Sequence, residues 1–419
     1  MGYIDLKYEP SDSDIVCKFY VEPAQTLEHA AENIAAESSI GTWTDLTTMK
    51  PRIAKQLQAH VFKIDKKRKI IDVAYPLADF EINNIPQMLS SFAGNIFGMR
   101  AVNSLRLLDF SIPKEIQTVF MGPAFGIEGI RKLLKVKDRP LVGTIVKPKI
   151  GLNPKEHAKV AYEAWVGGCD IVKDDENLTN QDFNPFEERV EETLAMLEKA
   201  EKETGEKKVY MANVTADAAT MIERAEFVKE EGGTYAMVDI ITTGFSALQV
   251  FREQDLGLVL HAHRAMHAAL TRMPTHGISM LCISKLMRLI GFDQLHIGTV
   301  VGKMSEDKET VLKSADALRK QEIEEREDVV KQSWMKRMRP VFPVASGGLH
   351  PGHVDALVDI LGKDVIIQMG GGIHGHTKGT RAGAKAARQA IDAKMKKIPA
   401  KEYAKTHKEL AEALKLWSS

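Results

Sequence analysis

From Pro140 to Gly371, eight short apolar runs alternate with amphipathic stretches, and no other feature of the chain restricts its fold as much. The runs are PLVGTIVKP, CDIVKDD, KVYMANVT, YAMVDIIT, GLVLHAHR, QLHIGTV, VFPVAS and VIIQMGG. Each is rich in β-branched residues and apolar on both faces, the pattern of parallel strands buried on two sides. Helix start signals lie between them. Asn153-Pro154-Lys155-Glu156 reads as an N-cap, a proline at the first helical position and a capping glutamate, and Asn184-Pro185-Phe186-Glu187 repeats the device. Eight strand–helix units in roughly 250 residues are the arithmetic of a (β/α)8 barrel. A doubly wound open sheet is the alternative, but no Gly-x-Gly-x-x-Gly follows the first strand, which counts against a dinucleotide fold.

The barrel is expected over residues 136–419, closing with an amphipathic helix in AKEYAKTHKELAEALKLW that sets Leu410, Leu414 and Trp417 on one side. Residues 1–135 read as a separate α+β domain of ferredoxin-like type. There DIVCKFYVEP and KIIDVAYPLADF are strand-like, and TLEHAAENIAAESS and NIPQMLSSFAGNIFG are helical. Residues 319–340, with the run EIEERED, are expected to form a solvated helical surface.

Composition narrows the function. Lys+Arg and Asp+Glu both number 57 in 419 residues, and 44% of the chain is hydrophobic. That supplies a large core, while the zero net charge argues against nucleic-acid or membrane-surface binding, since either favours a basic excess. No run approaches the length of a membrane span. The opening MGYIDLKYEPSDSD lacks the basic and apolar parts of a signal peptide. Cys17, Cys169 and Cys282 are too few and scattered for a disulfide framework or a zinc site, so they are expected to be reduced core residues in a cytoplasmic protein.

In such a barrel, functional residues sit at the C-terminal ends of strands. Strand one ends in Lys147-Pro148-Lys149, strand two in Lys173-Asp174-Asp175-Glu176-Asn177, and strand five in His261-Ala262-His263-Arg264. Strand six carries His296, followed by Gly298-Thr299-Val300-Val301-Gly302-Lys303. Strand seven ends in Ser346-Gly347-Gly348 and strand eight in Gly370-Gly371-Gly372. Each alone has a structural explanation, such as a core histidine or a solvated turn; six of eight together do not. Asp175 and Glu176 are hard oxygen ligands with no Cys or His among them, which favours Mg2+ over zinc. The glycine turns can aim bare N–H groups at a phosphate, and Arg264 and Lys303 can hold a second anionic group. These residues describe a metal-dependent enzyme acting on a small, doubly phosphorylated substrate.

At these positions the chain resembles the RuBisCO large subunit, ribulose-1,5-bisphosphate carboxylase/oxygenase. GTIVKPKIGL, GGCDIVKDDEN, HAHRAMHAA, HIGTVVGK, PVASGGLHPG and MGGGIHGH occur in the family's order, with AAESSIGTW and AGNIFG in the N-terminal half. GPAFGIEG, DDENLT, YAKTHKEL and RAMHAALTR look like the archaeal form III group, and VKDDENLT with HIGTVVGKM like its methanogen-type branch. The resemblance implies that Lys173 reacts with CO2 to give a carbamate, which with Asp175 and Glu176 binds Mg2+. Lys147 would protonate the product carbanion with support from Lys149, and His263 would assist enolisation and hydration. Lys303 would close over the site and stabilise the new carboxylate, pairing with Glu37. Thr42, Trp43, Lys303, Gly348, Gly370 and Gly371 would hold one phosphate, and Arg264 and His296 the other. Ser346 would contact the sugar, and Asn95, Thr144, Asn177 and Gly347 complete the substrate-binding set.

The resemblance further implies ribulose 1,5-bisphosphate, CO2 and O2 as reactants. It also implies a homodimer or ring of dimers without a small subunit. The N-terminal domain would cap a partner's barrel, so that sites are shared between chains. The metabolic role would be nucleotide or ribose-phosphate salvage or a carbon-fixation cycle. The alternative within the family is a RuBisCO-like enolase or isomerase of sulfur salvage, which typically loses residues kept here. Two departures stand out. Met304-Ser305-Glu306-Asp307 follows Lys303, where many relatives soon have a glycine, and Ile373-His374 replaces a common Thr-Leu. The chain also ends soon after its last helix, without the tail that latches the loop in plant enzymes.

Overall fold

The computed structural model describes residues 2–42, 44, 46–301 and 307–417. They form two compact units. The first comprises Met1–Gly122, Met266–Ile290 and Lys320–Met338. Its strands Ile15–Pro23, His60–Asp65, Ile70–Tyr75 and Val102–Phe110 are joined by helices that include Leu27–Glu37 and Ile85–Phe92. In sheet order the fourth strand lies beside the first, then the third, then the second, all antiparallel, which is the ferredoxin-like arrangement. A short strand, Gly277–Ile278, adds parallel to the free side of Val102–Phe110. The strands His60–Asp65 and Val102–Phe110 are absent from the sequence-based expectation, because their polar and apolar residues do not alternate strictly.

The second unit comprises Pro123–Ala265, Gly291–Arg319 and Arg339–Ser419. It holds a closed barrel of eight parallel strands: Leu141–Ile145, Ile171–Lys173, Val209–Asn213, Tyr235–Asp239, Val259–His263, Gln294–His296, Phe342–Ser346 and Ile366–Gln368. All eight lie within the expected runs. By packing, this unit begins ahead of residue 136, because Ile130 and Leu134 of helix Gly126–Leu134 join the barrel's buried cluster. That cluster takes Ile171, Val209, Met211, Tyr235, Met237, Val259, Phe342, Val344 and Ile366, residues two apart on one pleat face. On six of the strands the same face turns polar two positions further along, giving Lys173, Asn213, Asp239, His261, Ser346 and Gln368. The barrel is thus apolar in its body and polar at its C-terminal mouth.

Local expectations fared unequally. Asn153 and Glu156 form a reciprocal capping box with Pro154 at the first helical position. Asn184 does not cap the next helix; Pro185 stands at that N-cap, and the Asn180 side chain accepts from Phe186 N at 2.8 Å instead. Residues 319–340 are not a solvated helix. Glu322–Ile323 and Gln332–Ser333 pair as a two-stranded ribbon, and Ile323, Val329, Val330, Trp334 and Met338 are buried. The densest charge, Glu324–Glu327, lies in an exposed turn, and Lys331, Lys336, Arg337 and Arg339 are exposed beyond it. The terminal helix breaks into Ala400–Tyr403 and Lys408–Leu416, with Leu410 buried and Trp417 stacked on His350. The three cysteines are buried free thiols. Among the described residues, no helix is long and apolar enough to cross a membrane.

Candidate active site

The mouth of the barrel gathers residues from the ends of strands one, two and five into one charged cluster. Lys147, two residues beyond strand one, sets its Nζ 2.5 Å from Asp175 Oδ2. Lys149 lies 3.3 Å from Glu176 Oε1 and 4.0 Å from Asp175 Oδ1. His263 Nε2 is 3.7 Å from Glu176 Oε2. Asn177 donates from its backbone and side chain to Asp175 Oδ1, each at 3.2 Å. Lys173 is fully buried among them and donates to Asp174 O at 2.7 Å and to Met237 Sδ at 3.2 Å.

Burial governs the charges. Removal from water pushes the Lys173 ammonium below its ordinary value, and Glu176, Asp175 and Asp239 oppose this only in part. The neutral amine is the form that attacks CO2. Burial tends to raise Glu176, but the neighbouring Lys173 and His263 outweigh it and hold the carboxyl at about 2. Lys149 is raised by Glu176 and Asp175. His261, His263 and His296 are all lowered, chiefly by burial.

The turn carrying Asp175 and Glu176 is fixed from behind by Asp174, whose side chain faces away from them. Asp174 Oδ1 accepts from Tyr210 Oη at 2.8 Å and lies 3.1 Å from His157 Nε2. Its Oδ2 accepts from Arg189 Nε at 3.2 Å and from Asn213 N at 2.9 Å. Burial alone would raise this carboxyl; Arg189 and His157 instead hold it well below the usual range.

Two strand ends absent from the sequence-based set prove to be occupied. Strand three ends in Asn213, whose Nδ2 donates to the carbonyls of Asp175 and Glu176 at 3.3 Å each. Strand four ends in Asp239, whose Oδ1 lies 2.7 Å from His263 Nδ1. This contact orients the ring so that Nε2 faces Glu176. Both residues could have been found as single polar positions in otherwise apolar runs, two places beyond a core residue.

The remaining expected residues fall as follows. Arg264 and His296 are buried, and His296 Nε2 lies 2.9 Å from His261 Nε2. Thr144 is buried and donates to Met369 O at 2.7 Å. Ser346 leads into Gly347 and Gly348, whose φ values of 130° and 65° are open to glycine and strained for other residues. A Cβ on Gly371 would meet nothing within 4 Å, so its backbone is open to a ligand, and one on Gly370 would come within 3.3 Å of Lys147 Cε. In the first unit, Asn95 Nδ2 donates to Glu37 Oε1 at 3.4 Å, and Thr42 is half-buried. Trp43, Lys303 and the Met304-Ser305-Glu306 departure lie outside the described residues.

The donor set suits a hard cation in one form only. Among the described residues, no group of three or more His, Cys, Asp or Glu side chains could hold a metal ion. Asp175 and Glu176 supply carboxylate oxygens, and the buried amine of Lys173 beside them would become a third oxygen ligand on taking up CO2. The residues present therefore fit Mg2+ together with a lysine carbamate.

Sequence comparison finds the ribulose bisphosphate carboxylase large chain catalytic domain matched over residues 126–417, and that chain's N-terminal domain over residues 2–116. A protein of Methanosarcina mazei named ribulose bisphosphate carboxylase is 53% identical over 99% of this chain and 98% of its own. The crystal structure of an octameric ribulose-1,5-bisphosphate carboxylase/oxygenase from Pyrococcus horikoshii, in complex with sulfate ion, superposes with a TM-score of 0.92. It has 48% identity and covers 99% of this chain and 96% of that one. A dimeric archaeal Rubisco from Hyperthermus butylicus gives a TM-score of 0.92 at 44% identity, with 99% and 98% covered.

Proposed function

The chain belongs to the ribulose bisphosphate carboxylase large-chain family, with archaeal relatives, and from that premise we propose a form III-type enzyme that joins CO2 and water to ribulose 1,5-bisphosphate. The products are two molecules of 3-phosphoglycerate, with an oxygenase side reaction. The observation that carries this is the buried Lys173 beside Asp175 and Glu176, ringed by Lys147, Lys149 and His263 at the barrel mouth. Lys173 as its carbamate, Asp175 and Glu176 would hold Mg2+. When bound, the metal polarises the substrate's carbonyl and hydroxyl.

The chain's own residues supply the rest. Burial keeps Lys173 receptive to CO2. His263, held by Asp239, is placed to move a proton at the substrate. Lys147 would donate the proton that completes the product, with Lys149 beside it. Arg264 and His296 would bind one phosphate, and Gly348, Gly370, Gly371, Thr42, Trp43 and Lys303 the other. Ser346, Thr144, Asn177, Gly347 and Asn95 complete the substrate contacts. The setting is cytoplasmic, and the pathway is nucleotide or ribose-phosphate salvage or a carbon-fixation cycle. The test is incubation with Mg2+, labelled bicarbonate and ribulose 1,5-bisphosphate: labelled 3-phosphoglycerate supports the assignment, and its absence from the folded, Mg2+-activated enzyme rejects it.

The active assembly would be a homodimer or a ring of dimers without a small subunit, each site taking Glu37, Thr42, Trp43 and Asn95 from the partner chain. The two solved relatives are described as dimeric and octameric. Mixing inactive Lys173→Ala chains with inactive Asn95→Ala chains should restore partial activity, because one of the hybrid's two sites is intact. No recovery once subunit exchange is demonstrated would rule out shared sites.

Lys303 would act after enolisation, so Lys303→Ala should still exchange the substrate's C3 proton with solvent. Carboxylation should fall on the order of a hundredfold or more, the usual effect of losing one preorganised donor to a developing charge. Equal losses in exchange and carboxylation would instead mark Lys303 as a general substrate-binding group.

A further inference from the structure

His374 stands in the turn after barrel strand eight, three residues beyond Gly371, and has no part in the chemistry described above. Its ring is half-buried and lies between two hydroxyls. Nε2 is 2.9 Å from Thr144 Oγ1, and Nδ1 is 2.9 Å from Thr380 Oγ1. The direction of each bond follows from the far end of the chain. Thr144 has one hydroxyl proton and gives it to Met369 O at 2.7 Å, a carbonyl that can only accept. Toward the imidazole, Thr144 must therefore accept, which places the ring proton on Nε2. Nδ1 is then an acceptor, filled by the hydroxyl proton of Thr380. The relay runs Thr380, His374, Thr144, Met369 O, with Ile145 O a further acceptor beside the ring and the Thr144 hydroxyl, and it requires a neutral ring. Burial, opposed by a hydrogen bond to the Ile145 backbone and helped by Lys147 nearby, pushes His374 down to about 4, which agrees.

The relay ties together barrel strand one, the end of strand eight and the first residue of helix Thr380–Met395. The turn between them is clamped on its backbone side as well. A Cβ on Gly372 would fall 2.1 Å from Leu349 O, and one on Gly383 would fall 2.0 Å from Ile373 O. Gly371 alone keeps open space above it. The turn is thus packed hard on one side, cross-braced by His374 on another, and open where an anion would sit.

We infer that His374 is a positioning residue that fixes the Gly370–Gly371 turn for phosphate, and so sets substrate affinity without touching the reacting atoms. This rests on the proposal that those glycines hold a substrate phosphate. His374→Phe keeps a ring but removes both hydrogen bonds; His374→Gln retains one donor and one acceptor. Thr380→Val, at a half-buried helix start, removes the far bond alone and serves if the ring variants fold poorly.

The measurements are kcat, KM for ribulose 1,5-bisphosphate and competitive inhibition by inorganic phosphate on the Mg2+- and CO2-activated enzyme. The thermal midpoint and the 15N shifts of the His374 ring complete the set. His374→Phe is expected to raise KM and the phosphate inhibition constant about tenfold, the equivalent of one to two ordinary hydrogen bonds. Its kcat should stay within about twofold, and His374→Gln should recover most of the loss. Thr380→Val should shift the same two constants in the same direction by a smaller factor. The wild-type ring should show a proton on Nε2 alone at neutral pH. Unchanged KM and phosphate inhibition in either His374→Phe or Thr380→Val overturns the inference. So does a fall in kcat with unchanged KM, or a ring protonated on Nδ1. If instead phosphate does not compete with substrate in the wild-type enzyme, the phosphate assignment itself fails.

Discussion

Lys173→Met should abolish carboxylation while leaving the chain folded. Methionine fills most of the buried volume without a charge, so the change removes the amine and little packing. Asp175 and Glu176 then remain as two carboxylates that Lys147 and Lys149 already neutralise, and the third oxygen ligand cannot form. Loss of a metal's charge stabilisation is worth several kcal/mol, about a thousandfold or more in rate. Wild-type enzyme stripped of CO2 should be poorly active and should recover on preincubation with CO2 and Mg2+ together. The variant should not respond. A Lys173→Met enzyme within tenfold of wild type would remove Lys173 from the metal site.

Asp174→Ala is expected to cost about 3–5 kcal/mol of stability, the usual loss when one partner of a buried ion pair is removed. Arg189 is fully buried, and His157 nearly so. Without Asp174, the guanidinium keeps Asn184 O and Thr179 O as acceptors but loses its counter-charge. Tyr210 Oη and Asn213 N lose an acceptor at the same time. The effect should reach function through geometry, because Asp174 lies between Lys173 and Asp175 and anchors that turn. Denaturant unfolding measures the stability, and Mg2+ affinity measured alongside should fall. A change under about 1 kcal/mol would mean that the buried charges are compensated in some other way.

The barrel was legible because its strands are buried on both faces and so read as unbroken apolar runs. Helix-rich loops then separated them cleanly. His60–Asp65 and Val102–Phe110 escaped because half-buried strands with bulges give a weaker pattern, as the register shifts at Val61/Lys63 and Lys18/Phe19 show. In residues 319–340 the run of charge does not describe the whole segment, because Ile323 within it and Val329, Val330, Trp334 and Met338 beyond it are buried. In the site, charged clusters such as Lys173-Asp174-Asp175-Glu176 announce themselves. Asn213 and Asp239 stand alone in their runs and acquire meaning only when strands three and four are placed beside strands two and five. The roles within Lys173-Asp174-Asp175-Glu176 were also hidden. Nothing in the sequence says that Asp174 points to Arg189 while Asp175 points to Lys147; the alternation of a strand leaving the barrel decides it.

That Lys173 is the CO2-activated metal ligand is tested most directly by counting the CO2 retained on the chain. Enzyme incubated with 13C-labelled bicarbonate, with or without Mg2+, would be examined by 13C NMR for carbamate carbon before any substrate is added. One labelled carbamate per chain is expected with Mg2+, little without it, and none in Lys173→Met, with activity rising in step with the signal. Full carboxylase activity with no carbamate signal, or an undiminished signal in Lys173→Met, would contradict the assignment.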